Sequence, residues 1–248
     1  MFDFHIHTKY SGCSRKHGEY DLIEAFNEVK SRGYDGMGVS DHCNYKSYKK
    51  PANFLTTQRN KIQDQNLVGT LLLGLEITII NKKGDLGANP KYLDRLDYYI
   101  ISEHCHLSKL FSEFFRLKKK FVKWIRDGKE AKLKKTADYI TDMTVNAVQR
   151  NPYSILAHIW RFTRGRGYYS PYTLDKTEEI IESLQNTPVA FELHNSMIHT
   201  LMLSDEEDRK RHQLILKKVA PNLHNQILSP KKYMEEVFKI AKKYDIYY

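Results

Sequence analysis

The amino-acid sequence predicts an α/β fold in which parallel strands are joined by crossover helices. Short apolar runs alternate with longer stretches of helical periodicity along all 248 residues. Ionisable side chains recur where those runs end, and a parallel barrel gathers the C-terminal ends of its strands on one face. The length also suits a single (β/α) barrel, which often takes about 250 residues.

The apolar runs are Phe2–Ile6, Gly36–Ser40, Leu71–Ile80, Tyr98–Ser102, Ser154–Ala157, Val189–Leu193, Gln226–Leu228 and Ile246–Tyr248. Helical patterns lie between them near 20–32, 109–125, 130–150, 173–186, 205–219 and 230–243. Pro230 follows Ser229 and opens a run that ends in Lys242 and Lys243, which suits an N-cap, a proline in the first turn and cations at the C-terminal end. Gly165 and Gly167 mark a loop. No repeat, low-complexity tract or Pro/Gly-rich linker interrupts the pattern, so residues 1–248 read as one domain.

Composition narrows the class. Hydrophobic residues make up 41% of the chain and charged residues 28%, the balance of a globular protein and not of a disordered or collagen-like one. No stretch approaches the roughly 18 apolar residues that span a bilayer, so no membrane partner is expected. The N-terminus lacks the order of a signal peptide. Cys13, Cys43 and Cys105 are too few for a disulfide framework. These features predict a cytoplasmic protein.

The formal net charge is +10, and most of it is local. Between Lys109 and Lys135 stand eleven Lys/Arg against three acids, a net of +8, within a basic helical segment at about 107–150. Phe111, Phe114, Phe115, Phe121, Trp124 and Ile125 interleave with these cations at helical spacing. The segment reads either as a solvated helix face or as a positive rim that attracts a phosphorylated or polyanionic partner, nucleic acid included.

The chemistry sits at the ends of the apolar runs. The first ends in His5-Ile6-His7, the second in Ser40-Asp41-His42 and the third in Gly74-Leu75-Glu76. The fourth ends in Ser102-Glu103-His104 and the fifth in Ala157-His158. Residues two apart on a strand point the same way, so His5 and His7 can meet one ion. Each piece alone has an ordinary structural explanation. Together they are polar groups that would be costly to bury without partners, and imidazoles with a carboxylate suit Zn, Mn or Fe.

Asp3-Phe4-His5-Ile6-His7-Thr8, followed by Ser40-Asp41-His42, Glu76, Ser102-Glu103-His104 and Ala157-His158, resembles the polymerase and histidinol phosphatase (PHP) family. The resemblance runs from residue 2 to the end of the chain. It implies a distorted seven-stranded (β/α) barrel that carries two or three divalent metal ions and hydrolyses phosphoesters. It further implies that His5 and His7 bind a first ion, that Glu76 bridges it to a second completed by His104 and His158, and that His42 binds a third.

Two departures from the family pattern stand out. Where the family has a further His or Asp ligand, this chain has Gly12 and Cys13. Cys13 is then a thiolate ligand or an inert side chain, and His17 is a substitute from the same loop. The family's closing Asp and His motif has no counterpart after Tyr244–Tyr248, so the barrel is expected to be incomplete at its last strand or closed by those five residues. The family often has an acid and an Asn at the end of the sixth strand, near the substrate. Glu192 stands there with Asn195 close behind, and His194 adds a polar contact. Arg161 follows His158 and either orients a phosphate or belongs to a solvated loop.

The leading expectation is therefore a metal-dependent hydrolase acting on a small phosphomonoester, histidinol-phosphatase-like, with Glu76 and Arg161 in the catalytic machinery. A nuclease or nucleotide phosphodiesterase is the second expectation. A catalytically degenerate metal-binding scaffold is the third.

Overall fold

The computed structural model describes all residues except 12–19, 44–50, 104–119, 161–167, 193–194 and 247–248, together with the side chains of all but a few of the described residues. Seven α-helices of defined bounds and six strands follow one another among the described residues. They are β1 (Phe2–Ile6), α1 (Leu22–Ser31), β2 (Gly36–Cys43), α2 (Pro51–Asp64), β3 (Leu71–Thr78), β4 (Tyr98–Ser102), α3 (Glu130–Arg150), β5 (Ile155–Leu156), α4 (Pro171–Glu182), β6 (Ala190–Phe191), α5 (Asn195–Leu201), α6 (Asp205–Leu216) and α7 (Pro230–Lys243). Residues 120–126 are also helical. The strands form one sheet in the order β1-β2-β3-β4-β5-β6. The pairs β1–β2 and β2–β3 are parallel, as the alternation of runs and helices requires.

Contacts divide the chain into two compact units. The first comprises Met1–Thr78, Leu86–Ile101 and Tyr153–Ile155. Its helix α1 starts where the sequence signals it. Asp21 accepts hydrogen bonds from the N–H groups of Ile23 and Glu24, and the Glu24 carboxylate accepts from the Asp21 N–H, a reciprocal capping box. Those bonds hold the Asp21 carboxyl below its ordinary range. On β3, Leu71, Leu73, Leu75 and Ile77 point to the helix side and are buried. Leu71 and Leu73 join Leu22 and Phe26 of α1, Met37 and Val39 of β2, and Leu55 and Ile62 of α2 in one apolar core. The alternate positions of β3, Leu72, Gly74, Glu76 and Thr78, face the other way.

Helix α2 is absent from the sequence expectation. Its buried stripe is Leu55, Gln58 and Ile62, with a polar residue in the middle, so the apolar periodicity is thin.

The second unit comprises Ile79–Asp85, Ser102–Pro152 and Leu156–Tyr248. In it α3 packs on α4, and α4, α5 and α6 pack on α7. A buried polar relay joins three of its segments. The Trp160 indole N–H donates to Thr177 Oγ1 at 2.6 Å, and the Thr177 hydroxyl donates to Thr173 O at 2.7 Å. The Tyr233 hydroxyl reaches the same carbonyl at 3.3 Å.

Two expected strands differ from the structure. Pro221 starts a 3₁₀ turn that runs to Gln226, and the Leu228 N–H is used by Tyr169 O, so Gln226–Leu228 forms no strand. After α7 the chain turns at Tyr244 and Asp245, where Asp245 has φ 47°, and Ile246 is buried outside any strand. Residues 247 and 248 lie outside the described part, so six strands are seen among the described residues where the resemblance implies seven.

Candidate metal centre

Four of the expected ligands converge within the first unit. The Glu76 side chain is fully buried, and its Oε2 lies 3.3 Å from His5 Nε2, 3.3 Å from His7 Nε2 and 2.8 Å from His42 Nδ1. The His5 and His7 rings stand edge-on with centroids 5.1 Å apart, and the His7 and His42 rings stack at 4.5 Å. Register explains half of this. His42 on β2 is the direct partner of Glu76 on β3, so both side chains leave the sheet on the same face.

The other half comes from an irregularity in β1. Asp3 pairs with Met37 and Ile6 with Val39, so Phe4 and His5 together face the single residue Gly38. This is a β-bulge, and it switches the side-chain alternation of the strand. Before it, Phe2 and Phe4 stack on the face cleared by Gly36 and Gly38, where a Cβ at Gly36 would come within 2.6 Å of the Phe2 ring. After it, His5 and His7 share that face, and Ile6 turns to the apolar core. A regular strand would send His5 and His7 to the helix side, away from Glu76.

A second set of bonds ties the ends of β1 and β2 together. The Asp41 carboxylate accepts from the Thr8 N–H at 2.7 Å and from the Thr8 hydroxyl at 2.6 Å. The His42 N–H donates to Ser11 Oγ at 3.1 Å. Thr8 directly follows His7 and Asp41 directly precedes His42, so these bonds fix the backbone beside two of the imidazoles. Burial pushes the Asp41 carboxyl up, and the two Thr8 bonds and the nearby His42 oppose that shift.

The donor set fits a divalent ion. One ligand atom each from His5, His7 and Glu76 lies within 4.8 Å of the others. Metal bonds of about 2.1 Å at tetrahedral angles separate ligand atoms by about 3.4 Å, close to the 3.3 Å from each of His5 and His7 to Glu76. His42 stands nearer, at hydrogen-bond distance from the same oxygen.

Other expected site residues belong to the second unit. His158 is fully buried at the end of β5 and holds φ 29°, a left-handed conformation uncommon for histidine. Glu103 is buried just beyond β4. Glu192 follows β6, and its N–H donates to Leu156 O at 2.9 Å. Cys13, His17, His104, Arg161 and His194 lie outside the described residues. Sequence reasoning noticed Asp41 only as part of a strand-end motif, and it missed the partners Thr8 and Ser11. A hydroxyl residue directly after the His-x-His run was the available signal for Thr8.

The sheet thus delivers imidazoles and a buried carboxylate to one face, a donor set that suits a divalent ion. The PHP domain family profile matches residues 3–196, and the chain belongs to that family. A protein of Clostridium acetobutylicum named as a probable phosphatase is 31% identical to it over 104 residues, 42% of this chain and 41% of that protein. The match thus spans about two fifths of that relative's length. No helix among the described residues is long and apolar enough to cross a membrane.

Proposed function

We propose that the chain is a metal-dependent phosphoesterase that hydrolyses a small phosphomonoester of the histidinol phosphate type. The convergence of His5, His7 and His42 on Glu76 Oε2 carries this reading. Membership of the PHP family supports it, and so does the likeness to a probable phosphatase.

His5, His7 and Glu76 would hold one divalent ion, and His42 would serve a further ion in a centre of two or three. Zn, Mn or Fe bound there would supply a water acidic enough to ionise near neutral pH and would neutralise charge on a phosphoryl group. The chain's own part is positional. Glu76 contributes a carboxylate from a fully buried position on β3, where its orientation is fixed by register. Asp41 and Thr8 hold the two strand ends that carry His7 and His42. Arg161 is assigned to orienting the phosphate, and Glu192 and His194 to contacts with the rest of the substrate.

Metal analysis of the purified protein and an aryl-phosphate assay with Mn or Zn test the reading together. Bound metal with hydrolysis that Glu76→Gln abolishes is the expected result. Absence of bound metal after incubation with both ions would overturn it.

A nuclease or nucleotide phosphodiesterase is the second reading, favoured by one surface. Lys120, Lys123, Arg126, Lys129, Lys132 and Lys135 are all exposed, and the Lys132 ammonium lies 5.6 Å from the Trp124 ring centre. Cations of this kind neutralise nucleic-acid phosphates and make binding fall steeply with salt. Oligonucleotide binding at low salt, lost as salt rises, supports this reading, and no binding at low salt dismisses it. Stoichiometric metal without hydrolysis of either substrate class would leave a metal-binding scaffold.

A further inference from the structure

The bulge in β1 sets the direction of His5, so whatever holds the bulge also holds His5. At a bulge the ladder is locally disrupted, and the displaced peptide needs other partners. The peptide between Phe4 and His5 has two. Its N–H, on His5, donates to Asp3 Oδ1 at 2.9 Å. Its C=O, on Phe4, accepts from the Tyr98 hydroxyl at 2.7 Å. The same hydroxyl lies 3.0 Å from Val39 O, so its one proton is shared between carbonyls of β1 and β2.

Tyr98 comes from β4, three strands away. Three strand spacings amount to about 14 Å on a flat sheet, farther than a tyrosine side chain extends, so this face is concave. The ring crosses that face only because two intervening residues lack side chains. A Cβ at Gly74 would come within 2.5 Å of the Tyr98 ring, and one at Gly38 would stand 2.6 Å from its Cζ. Phe4 packs edge-on against the ring with centroids 5.5 Å apart. Burial, with Asp3 and Asp41 near, pushes the Tyr98 phenol well above its ordinary range, so it stays protonated and remains a donor.

We propose that Tyr98 is a positioning residue for the metal centre: its hydroxyl, with the Asp3 carboxylate, fixes the Phe4–His5 peptide and thereby turns His5 toward Glu76. The role rests on the metal-site reading given above. It differs from that reading in placing a determinant of ligand geometry 22 residues beyond Glu76, on a residue whose hydroxyl bonds the backbone carbonyls of Phe4 and Val39. Gly38 and Gly74 are part of the device, since they leave the path that the ring occupies.

The experiment is a titration of the whole chain with Co²⁺ alone, followed by calorimetry and visible absorption, for the wild type and Tyr98→Phe. That substitution removes one hydroxyl and keeps the ring. Partners that orient a metal ligand without touching the ion typically contribute 10- to 100-fold to affinity. Tyr98→Phe is therefore expected to bind Co²⁺ at least tenfold more weakly, with an altered ligand-field spectrum and an unchanged far-ultraviolet circular dichroism. Asp3→Ala releases the N–H side of the same peptide and is expected to act in the same direction. Equal affinity and an identical spectrum in wild type and Tyr98→Phe would overturn the role of Tyr98 while leaving the metal site standing. A wild type that binds no Co²⁺ would overturn both.

Discussion

His42 and Glu76 are register partners on neighbouring parallel strands, and the imidazole Nδ1 stands 2.8 Å from the carboxylate Oε2. A fully buried carboxylate is costly unless something of opposite charge stabilises it. Here the neighbours are three imidazoles, and a divalent ion would supply more charge than they do. Glu76→Gln keeps the shape and removes the charge. In the absence of metal it is expected to melt at or above the wild-type temperature, and added Zn or Mn should no longer raise its melting point. Scanning fluorimetry with and without metal checks this. Wild-type stabilisation should grow with metal concentration, reaching about 2.7 kcal/mol at a hundred times the dissociation constant.

Asp41 is expected to matter more for stability than a surface acid does. Its two buried hydrogen bonds from Thr8 are short. Bonds to a charged acceptor are worth roughly 1.5–3 kcal/mol each, and losing the acceptor leaves buried donors unmet. Asp41→Ala should destabilise the chain by about 3 kcal/mol in urea unfolding. Thr8→Val should cost less, because the Thr8 N–H keeps its acceptor.

In the second unit, Thr177 is the centre of a buried relay between Trp160, Thr173 and Tyr233. Thr177→Val preserves volume but strands the indole N–H of Trp160. The expected cost is about 1–3 kcal/mol, read from the midpoint of chemical denaturation. Trp160 fluorescence should shift in the native state of the same variant.

The N-terminal cap of α1 is a milder target. Asp21→Ala removes the acceptor for two backbone N–H groups and half of the capping box. A loss of about 1 kcal/mol is expected, with no change in metal affinity, since the Asp21 carboxylate bonds the first turn of α1 and lies near Lys9 instead of a candidate ligand. Calorimetric metal titration of the variant provides the comparison.

How much of this was legible in the sequence depends on range. The helical pattern near 20–32 was legible, while the capping box of Asp21 and Glu24 that starts it came from the structure. Leu71–Ile80 was legible as an apolar run with Glu76 in it, but the face that Glu76 takes, opposite Leu71, Leu73, Leu75 and Ile77, comes from the strand itself. Grouping His5, His7, His42 and Glu76 needed only the rule that parallel strands share their C-terminal ends. The bulge was not legible. Phe2, Phe4 and Ile6 look like one face of a regular strand, and the switch between Phe4 and His5 depends on Tyr98, which is 94 residues away. Gly38 and Gly74 look like ordinary weak points of a strand until the ring that fills their space is known. The short β5 and β6 were over-extended for a related reason, since apolar runs such as Ser154–Ala157 do not reveal where pairing stops.

Anomalous scattering from crystals of the chain grown with Mn or Zn tests the central claim most directly. A peak about 2 Å from His5 Nε2, His7 Nε2 and a Glu76 carboxylate oxygen is the result expected. Crystals that contain the ion elsewhere, with those three side chains ordered and no peak among them, would contradict the account.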